Sequence, residues 1–80
     1  MLIDTLRKAH FNALNEINRL EIAIEELSNA RKAHHENPNT NTLWNLEWWE
    51  SRKQLAISNY TDIMESIIEP VMLGKEASHA

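Results

Sequence analysis

The sequence predicts an all-α fold, an antiparallel hairpin of two long helices that dimerises into a four-helix bundle. Three observations carry this. Leu6, His10, Ala13, Ile17, Leu20, Ile24 and Leu27 recur at alternating spacings of three and four, which lays one apolar seam along a helix and demands a partner helix to cover it. The 80 residues hold a single glycine, Gly74, and two prolines, Pro38 and Pro70, too little punctuation for a strand-and-turn protein. Valine, threonine and the aromatic residues are too sparse and unevenly placed for a sheet.

The chain reads as one helical-hairpin domain over 1–80. The first helix is expected over about 4–35, capped by Asp4 or Thr5. It stops at Glu36-Asn37-Pro38, because the residue before a proline is pushed out of the helical region. A polar connection, 36–42, leads to a second helix over about 43–69, capped by Thr42 or Asn41, with Glu47 and Glu50 near its positive end. Pro70 removes a backbone donor and is expected to kink or end the helix. Val71-Met72-Leu73 add one turn before Gly74, and Lys75 to Ala80 form a frayed tail.

Two helices of about 30 residues joined by a short connection make a hairpin on the order of 45 Å long, with residues side by side where their numbers sum to roughly 77. Opposite the first-helix seam, the second helix supplies Leu46, Trp49, Ala56, Tyr60, Ile63, Met64, Ile67 and Val71. Its outer face, with Glu47, Ser51, Gln54, Ser58, Asp62, Glu65 and Glu69, is polar and acidic.

Several large apolar residues fit neither stripe. Phe11 and Ile22 fall about 140–160° around the first helix from Leu6, and Trp44, Trp48 and Leu55 form a shoulder on the second. One hairpin cannot bury both sets, and a cluster of this size exceeds what a monomer ordinarily leaves in water. With no cysteines to supply disulfides or thiolate metal sites, a chain this small gains a core most simply by oligomerising, with a dimer first. Phe11 and Ile22 are assigned to self-association. Trp44, Trp48 and Leu55 are assigned to a partner as apolar anchors of the kind that dominate interfaces. Glu47 and Glu50 are placed to approach basic residues on that partner.

No catalytic, cofactor or metal site is predicted. His34-His35-Glu36 lacks the spacing that aims two ligands from one helix face at one ion, and a histidine at a helix C-terminus is favoured by the dipole alone. Glu21-x-x-x-Glu25-Glu26 and Asp62-x-x-Glu65 distantly resemble the acidic helices of all-α nucleotide pyrophosphohydrolases, which hold magnesium inside a four-helix bundle. That resemblance implies a helical-bundle nucleotide-binding or hydrolysing protein. Here, however, Glu25 and Glu26 flank the seam, and Asp62 and Glu65 lie on the solvated face.

A net charge of −4 disfavours direct nucleic-acid binding, which needs clustered lysine and arginine. No stretch approaches the roughly 18 apolar residues of a membrane span. The start Met1-Leu2-Ile3-Asp4 lacks the basic and apolar regions of a signal peptide, so a cytoplasmic protein is expected. What remains is a small non-enzymatic interaction protein. The concrete reading is an inhibitor or adaptor of phage or mobile-element type, acting in the host cytoplasm on a host protein or defence complex. A structural or assembly protein that uses the hairpin to oligomerise is the alternative.

Overall fold

The computed structural model describes residues 2–73. The first helix, α1, spans Leu2–Glu36, and the second, α2, spans Thr40–Ile63. A single π turn, Met64–Ile68, then leads into a short third helix, α3, Glu69–Leu73. Among the described residues there is no strand. The long helices run back along one another as a hairpin, 58 Å long and only 19 by 14 Å in cross-section. The molecule is one layer thick.

The helix ends lie further out than the sequence suggests. Because α1 already begins at Leu2, Asp4 sits inside its first turn, where its charge faces the positive end of the helix dipole. The connection shrinks to residues 37–39, and the cap of α2 is Asn39, displacing Thr42 and Asn41 from that role. Asn39 is extended, at φ −155° and ψ 177°, the conformation a cap residue needs. Its side chain accepts from the Thr42 N–H at 2.9 Å, and the Asn39 N–H donates to Thr42 Oγ1 at 3.0 Å. This reciprocal box satisfies two otherwise orphaned donors, which a cap at Thr42 would leave without each other. Thr42 Oγ1 also lies 2.8 Å from His34 Nδ1, so the last turn of α1 is tied to the first turn of α2. With α2 starting at Thr40, Glu47 and Glu50 fall two to three turns into the helix, beyond the reach of its N-terminal dipole.

Pro70 does not end the helix. It has no N–H to donate, and its ring would crowd the carbonyl four residues back. The chain answers with the wider π turn immediately before it, in which the Glu69 N–H reaches back to the Met64 carbonyl, an i→i−5 bond. The Ser66 hydroxyl donates to the Asp62 carbonyl within the same stretch. Val71–Leu73 then complete α3 as expected, whereas the expected tail, Lys75 to Ala80, lies outside the described residues.

The helices touch through a seam of small residues. On α1 the inward positions are Leu6, Ala9, Ala13, Glu16, Leu20, Ala23, Leu27, Ala30 and His34, all buried or half-buried. Along α2, the π turn and α3 the expected stripe from Leu46 to Val71 is at least half-buried throughout, with Ala56 fully so. The α1 seam keeps the predicted alternation of three and four but differs at three of the seven predicted rungs. Leu6, Ala13, Leu20 and Leu27 are shared. His10 and Ile24 instead stand exposed, and Ile17 is half-buried. The physical reason is size: alanine at Ala9, Ala23 and Ala30 lets two backbones approach closely, while isoleucine rungs at the same line would hold them apart. The cross-helix pairs Glu16–Asn59 and Arg31–Glu50, each at 3.4 Å, and His34–Thr42 bracket the expected register.

A close alanine seam resists enlargement more than removal. Ala23→Leu is expected to lower unfolding free energy by about 1–3 kcal/mol, whereas Ala33→Leu, on the exposed surface of α1, stays within about 0.5 kcal/mol. Asn39→Ala costs about 0.5–2 kcal/mol through the lost cap. Urea unfolding followed by far-ultraviolet circular dichroism measures all three.

Candidate protein-interaction surfaces

Trp44 and Trp48 stand one turn apart on α2, and the i, i+4 spacing brings side chains together on a helix surface. Their rings stack with centroids 5.8 Å apart and planes 15° from parallel. One turn further, the Arg52 guanidinium lies 4.8 Å from the centre of the Trp48 ring, a cation–π contact. The result is a continuous aromatic–guanidinium ridge on the outside of α2, with Trp44 still 64% exposed. Trp49 adjoins Trp48 in sequence but is turned by about 100°, and it is half-buried toward the seam.

Leu55 continues this side of the molecule. It lines a groove of about 180 Å³ together with Ile22, Arg19 and Arg52, over a floor that includes Ala23 and Ala56. Two of the misfit residues, Ile22 and Leu55, therefore meet across the helix pair, and Arg52 links them to the tryptophan ridge. Phe11 joins neither group; it stands on α1 at 63% exposure. The two glutamates part company. Glu47 lies three residues from Trp44 along α2, near the ridge. Glu50 points about 160° around the helix from Trp48 and is engaged within the chain, 3.4 Å from Arg31 and 3.5 Å from Lys53.

The other side of the hairpin carries a surface that the sequence reading passed over. Leu6, His10, Leu14 and Ile17 on α1 face Tyr60, Met64, Ile68 and Met72 across an apolar groove of about 530 Å³. Ile3, Leu14, Ile24, Ile57 and Met72 around it are all exposed. The signal was present as a heptad: Ile3, His10, Ile17 and Ile24 repeat every seven residues, as do Ile57, Met64 and Val71. Each series sits one position beyond the contact seam, on the same side of the slab. The reverse side at this height is polar, lined by Asn12, Asn15, Glu16, Arg19, Asn59 and Asp62.

Among the described residues Glu16 is the buried charge, only 8% exposed. Arg19 donates to its carboxylate at 2.8 Å, and Asn59 Nδ2 at 3.4 Å, so burial does not strand it. Glu21, Glu25, Asp62 and Glu65 are exposed, and Glu26 is half-buried. Among the described residues no group of three histidine or acidic side chains converges as metal ligands would. Also among the described residues, no helix is long and apolar enough to cross a membrane. No protein-family model matches the chain, and no characterised protein or solved structure matches it significantly.

The inside–outside division of the tryptophans is measurable. With Trp44 and Trp48 both replaced by phenylalanine, the remaining Trp49 emission is expected to be quenched by acrylamide much less than the emission of the Trp49→Phe variant. Equal quenching of the two variants would contradict the placement of Trp49 on the seam.

Proposed function

We propose that the chain is a small non-enzymatic interaction protein, an inhibitor or adaptor, that pairs with a second copy into a four-helix bundle and grips its target through Trp44, Trp48 and Leu55. One observation carries this reading: apart from Phe11, the large apolar residues that line hollows outside the hairpin seam fall on two separate sides of the slab. Trp48 lies about 160° around α2 from Met64. One side, the long apolar groove, suits another pair of helices. The other is a compact ridge of tryptophan and arginine, residue types enriched where binding energy concentrates. A target covering it would stack on Trp44 and extend over Ile22 and Leu55.

The composition, cysteine-free and rich in asparagine, fits a product of phage or mobile-element type that blocks a host protein or defence complex in the cytoplasm. An assembly protein that only oligomerises would need the groove but not the ridge. That difference separates the two readings.

Trp44→Ala combined with Trp48→Ala is expected to leave helicity and native mass unchanged. Recovery of the target from host extract is expected to fall at least about 30-fold, as two hot-spot residues of roughly 1–2 kcal/mol each imply. Native mass spectrometry and quantitative pull-down, with Phe11→Ala as the control, make the test. Loss of the oligomer in the tryptophan variant, or undiminished recovery of the target, would overturn the assignment of the ridge to a partner.

A further inference from the structure

We propose that two copies of this chain pair groove to groove about a two-fold axis parallel to the helices, so that both loops lie at the same end and Arg31 of each copy meets Glu47 of the other. This rests on the four-helix bundle proposed above and specifies its interface and its direction.

The choice of a second copy follows from the pattern on both helices. A helix that packs against one neighbour needs only a narrow seam, whereas a helix inside a bundle carries apolar residues one position wider on one flank. Both α1 and α2 are wider, and on the same flank, with Ile17 and Ile24 on one and Ile57 and Met64 on the other. The groove side is thus half of a bundle core, and a copy of itself supplies the missing half through an isologous contact. From Ile3 to Ile24 the apolar stretch is about 30 Å long on a slab no more than 19 Å wide. That footprint, on the order of 600 Å² in projection, is close to the roughly 800 Å² per partner of a stable interface.

Direction follows from charge. From the open end to mid-length the groove side is mainly apolar, with Arg7 and His10 among its lining, but near the loop Arg31, Glu47 and Glu50 border one hollow. With the loops together, α1 of one copy lies over α2 of the other at the same height, and Arg31 comes opposite Glu47. The apolar halves then cover each other. With the loops opposed at full overlap, the midpoint of α1 falls on the midpoint of its counterpart, which sets Arg31 against Arg7 of the other copy and Glu47 against Ile68. Arg7 lines the groove, so that arrangement sets like charges together and presses a carboxylate onto the apolar stretch.

The full chain carries no cysteine among its 80 residues, so Asn37→Cys gives one spin label at each loop. Pulsed electron resonance should find the two labels about 20–35 Å apart, the width of a four-helix bundle. A separation near the 58 Å length of the molecule would overturn the loop-together arrangement while leaving the bundle standing. Charge reversal tests the pairing: Arg31→Glu and Glu47→Arg should each weaken self-association about 5-fold or more. Mixing the two variants should restore a heterodimer to within about 2-fold of the parent, because the exchanged charges then meet across the interface. Failure of the mixture to associate better than either variant alone would refute the Arg31–Glu47 contact.

Ile24→Glu, at a position already half in water, should give a folded monomer by circular dichroism and native mass, whereas Ile22→Glu should remain dimeric. The reverse result would move the interface to the opposite side of the slab. A parent chain that is monomeric at 100 µM would overturn both this inference and the bundle, and would leave the tryptophan ridge as a separate question.

Discussion

The close alanine contact between the two helices is the constraint from which the rest of the structure follows. Alanine loses no rotamer freedom and lets backbones approach, but each contact buries little apolar area. The hairpin interior is therefore Ala9, Ala13, Ala23, Ala30 and Ala56, with Leu27 the one large side chain that is fully buried among the described residues. Among the described residues twelve large hydrophobic side chains remain exposed, far more than scattered surface apolarity explains. A seam this thin holds two helices in register and leaves many large apolar side chains on the surface.

Polar groups decide which surface goes where. Glu16 sits on the seam with Arg19 and Asn59 around its carboxylate, and sliding α2 by one turn would carry Asn59 away from it. The same cluster makes one side of the slab polar at mid-length, so lengthwise packing is directed to the other side. The π turn contributes there. In an α-helix residues four apart drift by about 40° per step, and a wider turn counters that drift. Tyr60, Met64, Ile68 and Met72 consequently line the groove together, and the accommodation of Pro70 extends the apolar side to the end of the described chain.

Much of this was legible in the sequence. The helix pair, its register, the second-helix stripe and the solvated acidic face all follow from periodicity. The cap was not, because Asn39, Asn41 and Thr42 are all cap-forming residue types within four positions; the reciprocal pair of hydrogen bonds singles out Asn39. The contact line on α1 was misread for a related reason. Its apolar arc is wide enough to hold two ladders, one through Ala9, Glu16 and Ala23 and one through His10, Ile17 and Ile24. Hydrophobicity favours the second, but close approach selects the first, and Glu16 disguises it. The misfit residues were identified by angle alone, and angle could not show that Ile22 and Leu55 share a groove, that Arg52 covers Trp48, or that Glu50 is already paired.

The exposed apolar surfaces also bear on how the molecule works. A slab one layer thick has two broad sides to cover, one by the proposed self-pairing and the other by the proposed target. The two demands do not compete, because the groove and the tryptophan ridge face apart around α2. Pairing through the groove with both loops at one end would also set the two ridges at that end, facing outward on opposite sides of the bundle. Such a dimer would be able to engage a two-fold target, or two sites on one assembly, at once. The second contact would then form at the effective concentration set by a rigid bundle, so that two modest tryptophan contacts act as one tight one. Self-association on one side of the hairpin would in this way raise the strength of recognition on the other without adding a residue to it.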